Sequence, residues 1–359
     1  MKKINIFGKV VVIVFLVGFI LLLSEGFKTN YHLTEVPASK QPPKIPTLTI
    51  DSIFGKQNDL STLEKEKLVT IVATGDVIPA RGANWPAVTK GDFTYNWRRV
   101  APTLKKADIT LINLEAPLTK NCPLMTEGMT FCGDARHVKG LTFAGIDTVS
   151  IANNHIDNFG LAGRNETINL LEASSIGWSG FGNLDVQKRK GITFGFLSYN
   201  GISTTFDRQA IATEIKQTKQ KVNVLVVSAH WGDEYILTPR KYGNVAPDDP
   251  RQIARLMVDS GADLIIGNHP HTVQGIEIYK NKLVTYAHGN FIFDQTWSQE
   301  TQEGVVGEYV FYEEKLVNVK FYPVLVNESY QPRFLGDKNG KSIIDRMLKS
   351  SKLIAGENN

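Results

Sequence analysis

The sequence predicts one α/β domain, spanning residues 67–330, whose sheets carry helices on both faces. From about residue 68 to residue 326, short and continuously apolar runs rich in β-branched residues alternate with longer helix-like stretches. Strands that are apolar throughout, rather than at alternate residues, are typical of sheets buried on both faces. A chain of 359 residues also has ample material for one large core.

The order of these segments outlines the domain. The strand-like runs are 68–74, 108–114, 147–153, 192–198, 222–229, 262–267 and 282–287. The helix-like stretches between them are 135–145, 162–175, 207–219 and 249–260. Residues 305–326 alternate in a different pattern, which predicts an antiparallel hairpin at the end of the domain.

Residues 1–27 are predicted to be a signal anchor or a signal peptide. Lys2, Lys3 and Lys9 precede an unbroken apolar run over residues 10–23. A spanning helix needs about 18–20 apolar residues, and the apolar residues before Lys9 extend this run towards that length. No small-residue cleavage pattern follows, which favours an uncleaved anchor. Because the lysines keep the N-terminus in the cytoplasm, the domain is expected outside it, anchored in the cell membrane or, after cleavage, secreted or periplasmic.

Two further segments are predicted to lie outside the folded domain. Residues 28–66 hold four prolines, at positions 37, 42, 43 and 46, and are expected to form an extended Pro-rich linker. Residues 331–359 are polar and basic. We expect this C-terminal tail to be a loosely packed helix or disordered.

The two cysteines, Cys122 and Cys132, lie in a short loop that contains proline and glycine. In an exported protein this arrangement favours a disulfide, which loop-closure entropy makes worth about 3 kcal/mol. Two free buried thiols are the alternative. A metal-binding pair is disfavoured, because no other soft ligand lies nearby in the sequence.

The net charge of +4 is slight, and the charged residues are spread along the chain. Nucleic-acid-binding proteins usually carry a basic stripe or patch, often with interleaved aromatic residues. The sequence shows neither such a stripe nor a repeat period. We therefore expect no nucleic-acid partner.

Polar side chains follow the predicted strands, at the points where the strands end. Five of the seven histidines are among them. The residues at these ends are Asp76, Asn113, Glu115, Asn153, Asn154, His155, His230, Asn268, His269, His271, His288 and Asn290. Functional sites of α/β sheets form outside the carboxyl ends of the strands. Carboxylate, imidazole and amide groups that meet there form the ligand set of a divalent metal ion.

Taken singly, most of these residues also have structural interpretations. Asp76 is in a position typical of a turn or a helix cap, and Asn154 with His155 could form a tight turn. His230 could be a core histidine. The sharpest signal is His269-Pro270-His271, because the proline is expected to hold both imidazoles on one extended turn. Together, these residues predict a metal site.

The amino-acid sequences of the motifs around these residues resemble those of a known family. The motifs are GDVIPARG (75–82), NLEAPLT (113–119), SIANNHIDNFG (150–160), SAHWGDEY (228–235), GADLIIGNHPHTVQGIE (261–277) and AHGNFIFD (287–294). They resemble the CapA family of capsule and poly-γ-glutamate synthesis proteins and follow its motif order from about residue 68 to 325. The resemblance implies a four-layer metallophosphatase-like sandwich, in which two mixed sheets are flanked by helices, in the calcineurin-like superfamily. It also implies export to the cell envelope.

The resemblance further implies roles for individual residues. The implied metal ligands are Asp76, Glu115, Asn154, His230, His269 and His271. Glu115 occupies the bridging position, His230 and His269 are expected on one ion, and His271 on the other. His155 resembles the proton donor or oxyanion stabiliser, and Arg81 resembles an anion-binding arginine. One or two divalent ions are expected, and the residues do not distinguish Mn, Zn, Fe and Mg.

Three positions depart from the pattern. Ile78 stands where metallophosphatases usually have a ligand histidine, so one metal site is short of a ligand. Asn158 stands where an aspartate commonly follows His155, which leaves the orientation of that histidine open. His288 occupies a position that is more often apolar. It could be an extra ligand, or equally a supporting or structural histidine.

The leading functional hypothesis is a metal-dependent, hydrolase-like envelope enzyme that acts in capsule or poly-γ-glutamate synthesis, export or anchoring. Its expected partners are an anionic polymer or a phosphoester, the membrane through the N-terminal segment, and subunits of a synthase or export system. The alternative is a non-catalytic accessory protein with a vestigial metal site, which Ile78 favours. A secreted nucleotidase or general phosphoesterase is a third hypothesis that fits the motifs less well.

Overall fold

A computed structural model describes residues 44–356 except positions 241, 242, 244 and 328. The predicted N-terminal anchor and the first part of the predicted linker lie outside the described residues. Among the helices that are described, none has the length and apolarity needed to cross a membrane.

The described part of the chain is rich in short strands that alternate with helices. The strands are β1 (Leu68–Val77), β2 (Ile109–Leu114), β3 (Leu118–Thr119), β4 (Gly133–Asp134), β5 (Thr148–Ser150), β6 (Gly177–Ser179), β7 (Asp185–Arg189), β8 (Ile192–Asn200), β9 (Val224–His230), β10 (Leu264–Asn268), β11 (Ile276–Tyr279), β12 (Lys282–Thr285), β13 (Asn290–Ile292), β14 (Glu303–Tyr312), β15 (Lys315–Leu325) and β16 (Arg333–Phe334). The α-helices are α1 (Ile50–Phe54), α2 (Arg81–Lys90), α3 (Ala101–Leu104), α4 (Val138–Ala144), α5 (Gly160–Ala173), α6 (Arg208–Lys219), α7 (Pro250–Ser260), α8 (Gln299–Gln302) and α9 (Asp337–Gly356). Short 3₁₀ turns are Lys65–Lys67, Tyr95–Trp97 and Ala135–His137.

The strands form two mixed sheets and a two-stranded ladder of β3 with β4. The larger sheet has the order β16-β15-β14-β1-β2-β5-β6, and β13 pairs with the end of β1. Within it, β1, β2, β5 and β6 are parallel, and β14 to β16 continue the sheet antiparallel. The smaller sheet has the order β11-β12-β10-β9-β8-β7, with β12, β10, β9 and β8 parallel. Each sheet therefore has several parallel strands whose carboxyl ends lie on one edge.

Three apolar clusters define the layers. The first lies between the sheets and joins side chains such as Ile71 and Phe311 of the larger sheet to Phe194 and Leu264 of the smaller one. The second covers the outer face of the larger sheet with α3, α4 and α5. The third covers the outer face of the smaller sheet with α6 and α7. The prediction of mixed sheets flanked by helices is therefore confirmed, and the layers run helix, sheet, sheet, helix.

Local sequence signals place the helices that cover the smaller sheet. The side chain of Asp207 caps α6 by accepting from the backbone N–H of Ala210, and Asp249 caps α7 with Pro250 at the first helical position. Strands β2 and β9 are buried at every residue, which explains their unbroken apolar sequence. The predicted hairpin over residues 305–326 is present as β14 and β15.

The folded domain extends beyond both predicted boundaries. In residues 44–66, which the prolines assigned to a linker, α1 buries Ile53 in the core between the sheets. The predicted polar tail contains the 20-residue helix α9, whose Ile343 and Met347 enter the same core. The hydroxyl oxygens of Ser350 and Ser351 accept backbone N–H groups at the edge of the smaller sheet, at 3.0 and 2.9 Å. Apolar residues spaced along one helical face among many lysines and serines explain why the composition looked like a loose tail.

Cys122 and Cys132 form a disulfide, as the loop composition favoured. The bond closes a surface loop between β3 and β4. Residues 120–130, all of which are described, include none that is buried. The loop therefore has little packing of its own.

Replacing both cysteines by serine is expected to lower the free energy of unfolding by about 3 kcal/mol, because the unfolded chain regains the freedom of the loop. Chemical denaturation of the full-length chain measures this. Wild-type protein under a reducing agent serves as the matched control and should unfold at the same midpoint as the variant. An unchanged midpoint in both samples would contradict the prediction.

Candidate metal centre

Ligand-type side chains from both sheets meet at the edge where the parallel strands end. Asp76 is near the end of β1, and Glu115 directly follows β2. His230 ends β9, and His269 directly follows β10. Because the two sheets stack with these edges together, the larger sheet supplies the carboxylates and the smaller one the imidazoles.

Five of the predicted ligands form one buried cluster. Asp76, Glu115, His230, His269 and His271 are each at most 2% exposed. Two groups of three have ligand atoms close enough to hold one ion: Glu115 with His269 and His271, and Asp76 with Glu115 and His230. Glu115 belongs to both groups, which is consistent with the bridging position that the sequence resemblance implied.

The turn around Pro270 is left-handed on both sides. His269 has φ 99° and His271 has φ 55°, values that cost side-chain-bearing residues roughly 1–3 kcal/mol each. The predicted extended turn is therefore wrong. The strained turn brings His269 and His271 into one group with Glu115, whereas the sequence interpretation had separated them. Nδ1 of His269 also lies 3.2 Å from Nε2 of His230, so the three imidazoles adjoin.

Two asparagines that the sequence interpretation left without a role hold the cluster in place. Nδ2 of Asn113 donates to Oδ1 of Asp76 at 2.8 Å and to Oε2 of Glu115 at 3.3 Å. Nδ1 of His271 lies 2.9 Å from Oδ1 of Asn290 and 3.2 Å from Oδ2 of Asp76. Both of these neighbours are acceptors, so Nδ1 carries a proton, and Nε2 of His271 is the atom that can bind a metal once it has lost its own proton. Both asparagines are among the polar residues that stand at the ends of the predicted strands, and this position is what could have indicated their role.

The pKa shifts within the cluster indicate that it lacks positive charge. Burial and the charge of Asp76 raise the pKa of Glu115 well above its usual value. Burial opposes the protonation of His271, yet the charges of Glu115 and Asp76 raise its pKa to about 9. Burial lowers the pKa of His230 to about 3 and that of His269 well below its usual value. His230 and His269 are thus neutral imidazoles, the form that binds metals.

The residues fit a divalent ion. Oε1 of Glu115 and Nε2 of His269 are buried and have no hydrogen-bond partner among the described residues. Nε2 of His230 lies 3.3 Å from Oε1 of Glu115, but this contact is not a hydrogen bond. Buried polar atoms normally have a partner. A ligand-facing carboxylate oxygen and imidazole nitrogen without one match the donor set of a hard-to-borderline metal.

Asn154 and His155 lie beside this cluster. Oδ1 of Asn154 is 2.9 Å from Nε2 of His230. The side chain of Asn153 accepts the backbone N–H of His155 and so fixes the turn. Nδ1 of His155 lies 2.9 Å from Oδ1 of Asn158, whereas Asp157 pairs with Arg164. The amide oxygen of Asn158 therefore occupies the orienting position that the sequence had left open.

Arg81 is close to the site, but its guanidinium is already engaged. It pairs with Asp294 and donates to the carbonyl oxygen of Gly128 at 2.8 Å. The guanidinium also lies over the rings of Phe131 and Phe293, at 4.7 and 5.2 Å from their centroids. An incoming anion would have to compete with Asp294 for this arginine.

Ile78 and His288, the two other departures from the family pattern, are both buried among apolar or aromatic residues. Ile78 is fully buried in an apolar cluster, defined here as Ile78, Ala80, Ala116, Phe131 and Phe293. His288 lies in the core between the sheets, where its Nε2 is 2.9 Å from the hydroxyl of Tyr309. His288 is in neither of the ligand groups of the described structure and has the surroundings of a structural histidine.

Aromatic and acidic residues after β9 and β13 form the rim of the site. The Tyr235 ring lies 6.2 Å from that of His271 and 5.8 Å from that of the exposed Trp297. Trp231 is buried and donates to the carbonyl oxygen of Tyr286, so it is a core residue. Burial lowers the pKa of His155 to about 4, and the charge of Glu234 acts in the opposite direction. Sequence reasoning missed Glu234, although it lies within the motif around His230.

Two glycines allow the main chain to pack tightly behind the ligands. A Cβ atom at Gly75 would lie 2.0 Å from the carbonyl oxygen of Gly289. A Cβ at Gly267 would lie 2.0 Å from the carbonyl oxygen of Tyr286. Residues 286–289 connect β12 of the smaller sheet to β13 of the larger one. This crossing segment therefore contacts both ligand-bearing strands directly through the backbone.

Comparisons with known proteins agree with the motifs. A sequence model of the family described as bacterial capsule synthesis protein PGA_cap matches residues 70–295, which include the whole ligand cluster. A Bacillus anthracis protein described as capsule biosynthesis protein CapA is 30% identical over 276 residues, covering 68% of this chain and 64% of that protein. The PGA biosynthesis protein CapA of Bacillus subtilis (strain 168) is 26% identical over 302 residues, covering 77% of each. This chain thus spans less than two thirds of the length of the B. anthracis protein.

Among solved structures, a Staphylococcus aureus protein assigned provisionally as a 5′-nucleotidase, solved with α-ketoglutarate, has a TM-score of 0.44 and 14% sequence identity. The match covers 79% of this chain and 58% of that one.

Gly75→Ala is expected to destabilise the domain by about 2 kcal/mol and to weaken Mn²⁺ binding, because the new Cβ displaces the crossing segment. Gly336→Ala is the matched control, since a Cβ there meets nothing within 4 Å. Thermal unfolding and Mn²⁺ titration of both variants provide the measurement. If both variants unfolded at the same temperature and bound Mn²⁺ equally well, the prediction would be wrong, because residues 286–289 could then move without affecting the site.

Glu115→Gln is expected to stabilise the metal-free domain at pH 8 and to abolish most of its stabilisation by Mn²⁺. A carboxyl whose pKa is raised by folding contributes stability at low pH that is lost as the pH rises, and the neutral amide avoids this loss. Thermal unfolding after EDTA treatment, at pH 5 and pH 8, should show the variant gaining about 2–4 °C or more on wild type at the higher pH only.

Glu313→Gln, at an exposed glutamate, serves as the control for this second substitution. If Mn²⁺ stabilised the Glu115→Gln protein as strongly as wild type, Glu115 would not be a ligand.

Proposed function

Because this chain belongs to the bacterial capsule synthesis protein family, we propose that it is a metal-dependent, hydrolase-like enzyme of the cell envelope that acts in capsule or poly-γ-glutamate synthesis, export or anchoring. One observation carries the enzymatic part of the proposal. A buried set of carboxylate and imidazole ligands, two of whose atoms have no hydrogen-bond partner in the described structure, lies beside an oriented histidine.

The residues that would hold metal are the two overlapping groups around Glu115. Asp76, Glu115 and His230 would hold one ion, and Glu115, His269 and His271 a second. Asn154 adjoins His230 and could complete the first group. A divalent ion bound there would act as a Lewis acid on an anionic or carbonyl oxygen and lower the pKa of a bound water. Mn, Zn, Fe and Mg all accept oxygen and nitrogen ligands of this kind.

The chain's own residues supply positioning and proton transfer. The side-chain Oδ1 of Asn158 accepts the Nδ1 proton of His155, so Nε2 is the atom left to take or give a proton. Burial keeps His155 mainly neutral, with a pKa of about 4. It would therefore take a proton at Nε2 from the reacting group and pass it to the leaving group, rather than carry a lasting positive charge.

The family and the site both support a proposal for the substrate class. Relatives named for capsule and for poly-γ-glutamate biosynthesis support an anionic polymer as the partner. The ligand set supports a metallophosphatase-like chemistry in which a phosphoester or an amide of the polymer is cleaved or transferred. The exposed Trp297 beside Tyr235 offers flat apolar surface to the methylene groups of such a chain.

We place the domain outside the cytoplasm, held at the cell membrane by residues 1–27 or released after their cleavage. The Cys122–Cys132 disulfide supports this location, since disulfides persist in oxidising compartments. Subunits of a polymer synthase or export system are the protein partners that such a location favours.

An accessory protein without turnover is the second candidate. The position of Ile78 favours it, because a fully buried isoleucine stands where an additional ligand is expected. In that case the ligand cluster would grip the polymer or stabilise the fold, and the rim would contact a synthase.

Metal counting together with His230→Ala separates these functions. Full-length protein is expected to bind close to two equivalents of Mn²⁺ and to hydrolyse bis(p-nitrophenyl) phosphate or poly-γ-glutamate. His230→Ala should reduce turnover by about a hundredfold or more and lower the metal count. His137→Ala is the matched control, because His137 is equally buried but contacts Asn84 and belongs to neither ligand group of the described residues.

Wild-type protein with no metal and no turnover that still binds poly-γ-glutamate would contradict the enzyme and support the accessory function.

A further inference from the structure

The disulfide loop reaches the proposed catalytic histidine through one residue. Phe131 is the neighbour of Cys132, and its ring lies against that of His155 with a centroid distance of 4.2 Å. Phe131 is 1% exposed, although the loop before it has no buried residue. The loop thus ends in a buried contact with the site.

The backbone of Phe131 determines how Asn158 is oriented. The N–H of Phe131 donates to Oδ1 of Asn158 at 2.7 Å, and a backbone N–H can only donate. The carbonyl end of the Asn158 amide must therefore face both Phe131 and Nδ1 of His155, which lies 2.9 Å away. An acceptor at that distance requires a proton on Nδ1. The position of Phe131 thereby selects the tautomer of His155.

Two features hold Phe131 in this position. Its ring packs in the apolar cluster with Ile78 and Phe293, the latter at a centroid distance of 5.4 Å. The disulfide ties Cys132 to Cys122 at a Cα–Cα distance of 5.6 Å. Residues 120–130 are not buried, so on this side of Phe131 the disulfide restrains the segment, whereas the ladder of β4 with β3 restrains the other side. Ile78, which stands at the position of an expected metal ligand, is one of the residues that pack around Phe131 in this cluster.

We propose that the loop Cys122–Cys132 is a positioning element for His155, with Phe131 as its positioning residue. The loop fixes both the ring plane of His155, by contact with the Phe131 side chain, and its tautomer, through the Phe131 N–H and Asn158. The part of this inference that concerns turnover rests on the proposed function. The part that concerns the tautomer does not.

The test compares Phe131→Leu and the double variant C122S/C132S with wild type, using ¹⁵N imidazole NMR of the full-length, EDTA-treated chain. The wild-type signal of His155, identified by its loss in His155→Gln, should show a proton fixed on Nδ1. Both variants should shift this signal towards a mixture of tautomers. With Mn²⁺ and bis(p-nitrophenyl) phosphate, kcat should fall by about ten- to a hundredfold with little change in KM, as expected for a misplaced catalytic group.

Met129→Ala is the matched control, because Met129 lies in the same loop and is 61% exposed. It should retain the wild-type signal and rate. Wild-type tautomer signals in both test variants would overturn the proposal. If Phe131→Leu fails to fold, C122S/C132S keeps the ring and carries the test alone. Wild-type protein without turnover would contradict the proposed function, and the imidazole signals would still decide this inference.

Discussion

The burial of two carboxylates at one edge of two stacked sheets is the constraint on which the rest of this structure depends. Asp76 and Glu115 are almost completely inaccessible, and a buried charge is costly unless it is paired or coordinated. The amide of Asn113 serves both carboxylates, and His271 is held in a charged or proton-donating form beside Asp76. These supports still leave one oxygen of Glu115 without a hydrogen bond. A divalent cation bound as proposed above would complete the charge balance of this cluster.

The two sides of the site differ in character. On one side, imidazoles and carboxylates from four strand ends form the polar cluster. On the other, the position of an expected ligand is taken by Ile78, and the rings of Phe131 and Phe293 enclose the guanidinium of Arg81. Arg81 is itself neutralised by Asp294. An apolar cluster thus stands in place of an expected metal ligand, and it contacts His155 through Phe131. In the proposal above, the orientation of His155 depends on the loop Cys122–Cys132 as well as on the turn that follows β5.

Much of the fold and of the candidate site could be predicted from the sequence. Apolar runs followed by Asp, Glu, Asn or His located β1, β2, β9 and β10 together with the residues at their ends, because buried parallel strands leave a strong local signal. The grouping of the ligands could not be predicted, because it depends on the left-handed backbone of His269 and His271. The roles of Asn113 and Asn290 depend on hydrogen bonds across strands. The prolines before residue 47 also obscured Ile53, whose burial depends on the distant strand β15.

The close contacts at Gly75 and Gly267 have a consequence for how such a site can diversify. At this edge the main chain of residues 286–289 contacts the main chain of both Gly75 and Gly267, so backbone contact restrains the distance between the two sheets independently of the ligand side chains. Side chains at the strand ends can then be exchanged while the frame that presents them keeps its dimensions. The departures from the family pattern that the sequence resemblance indicated at Ile78 and Asn158 are compatible with such a frame. The main-chain contacts would then keep the dimensions of the centre, whichever side chains it presents.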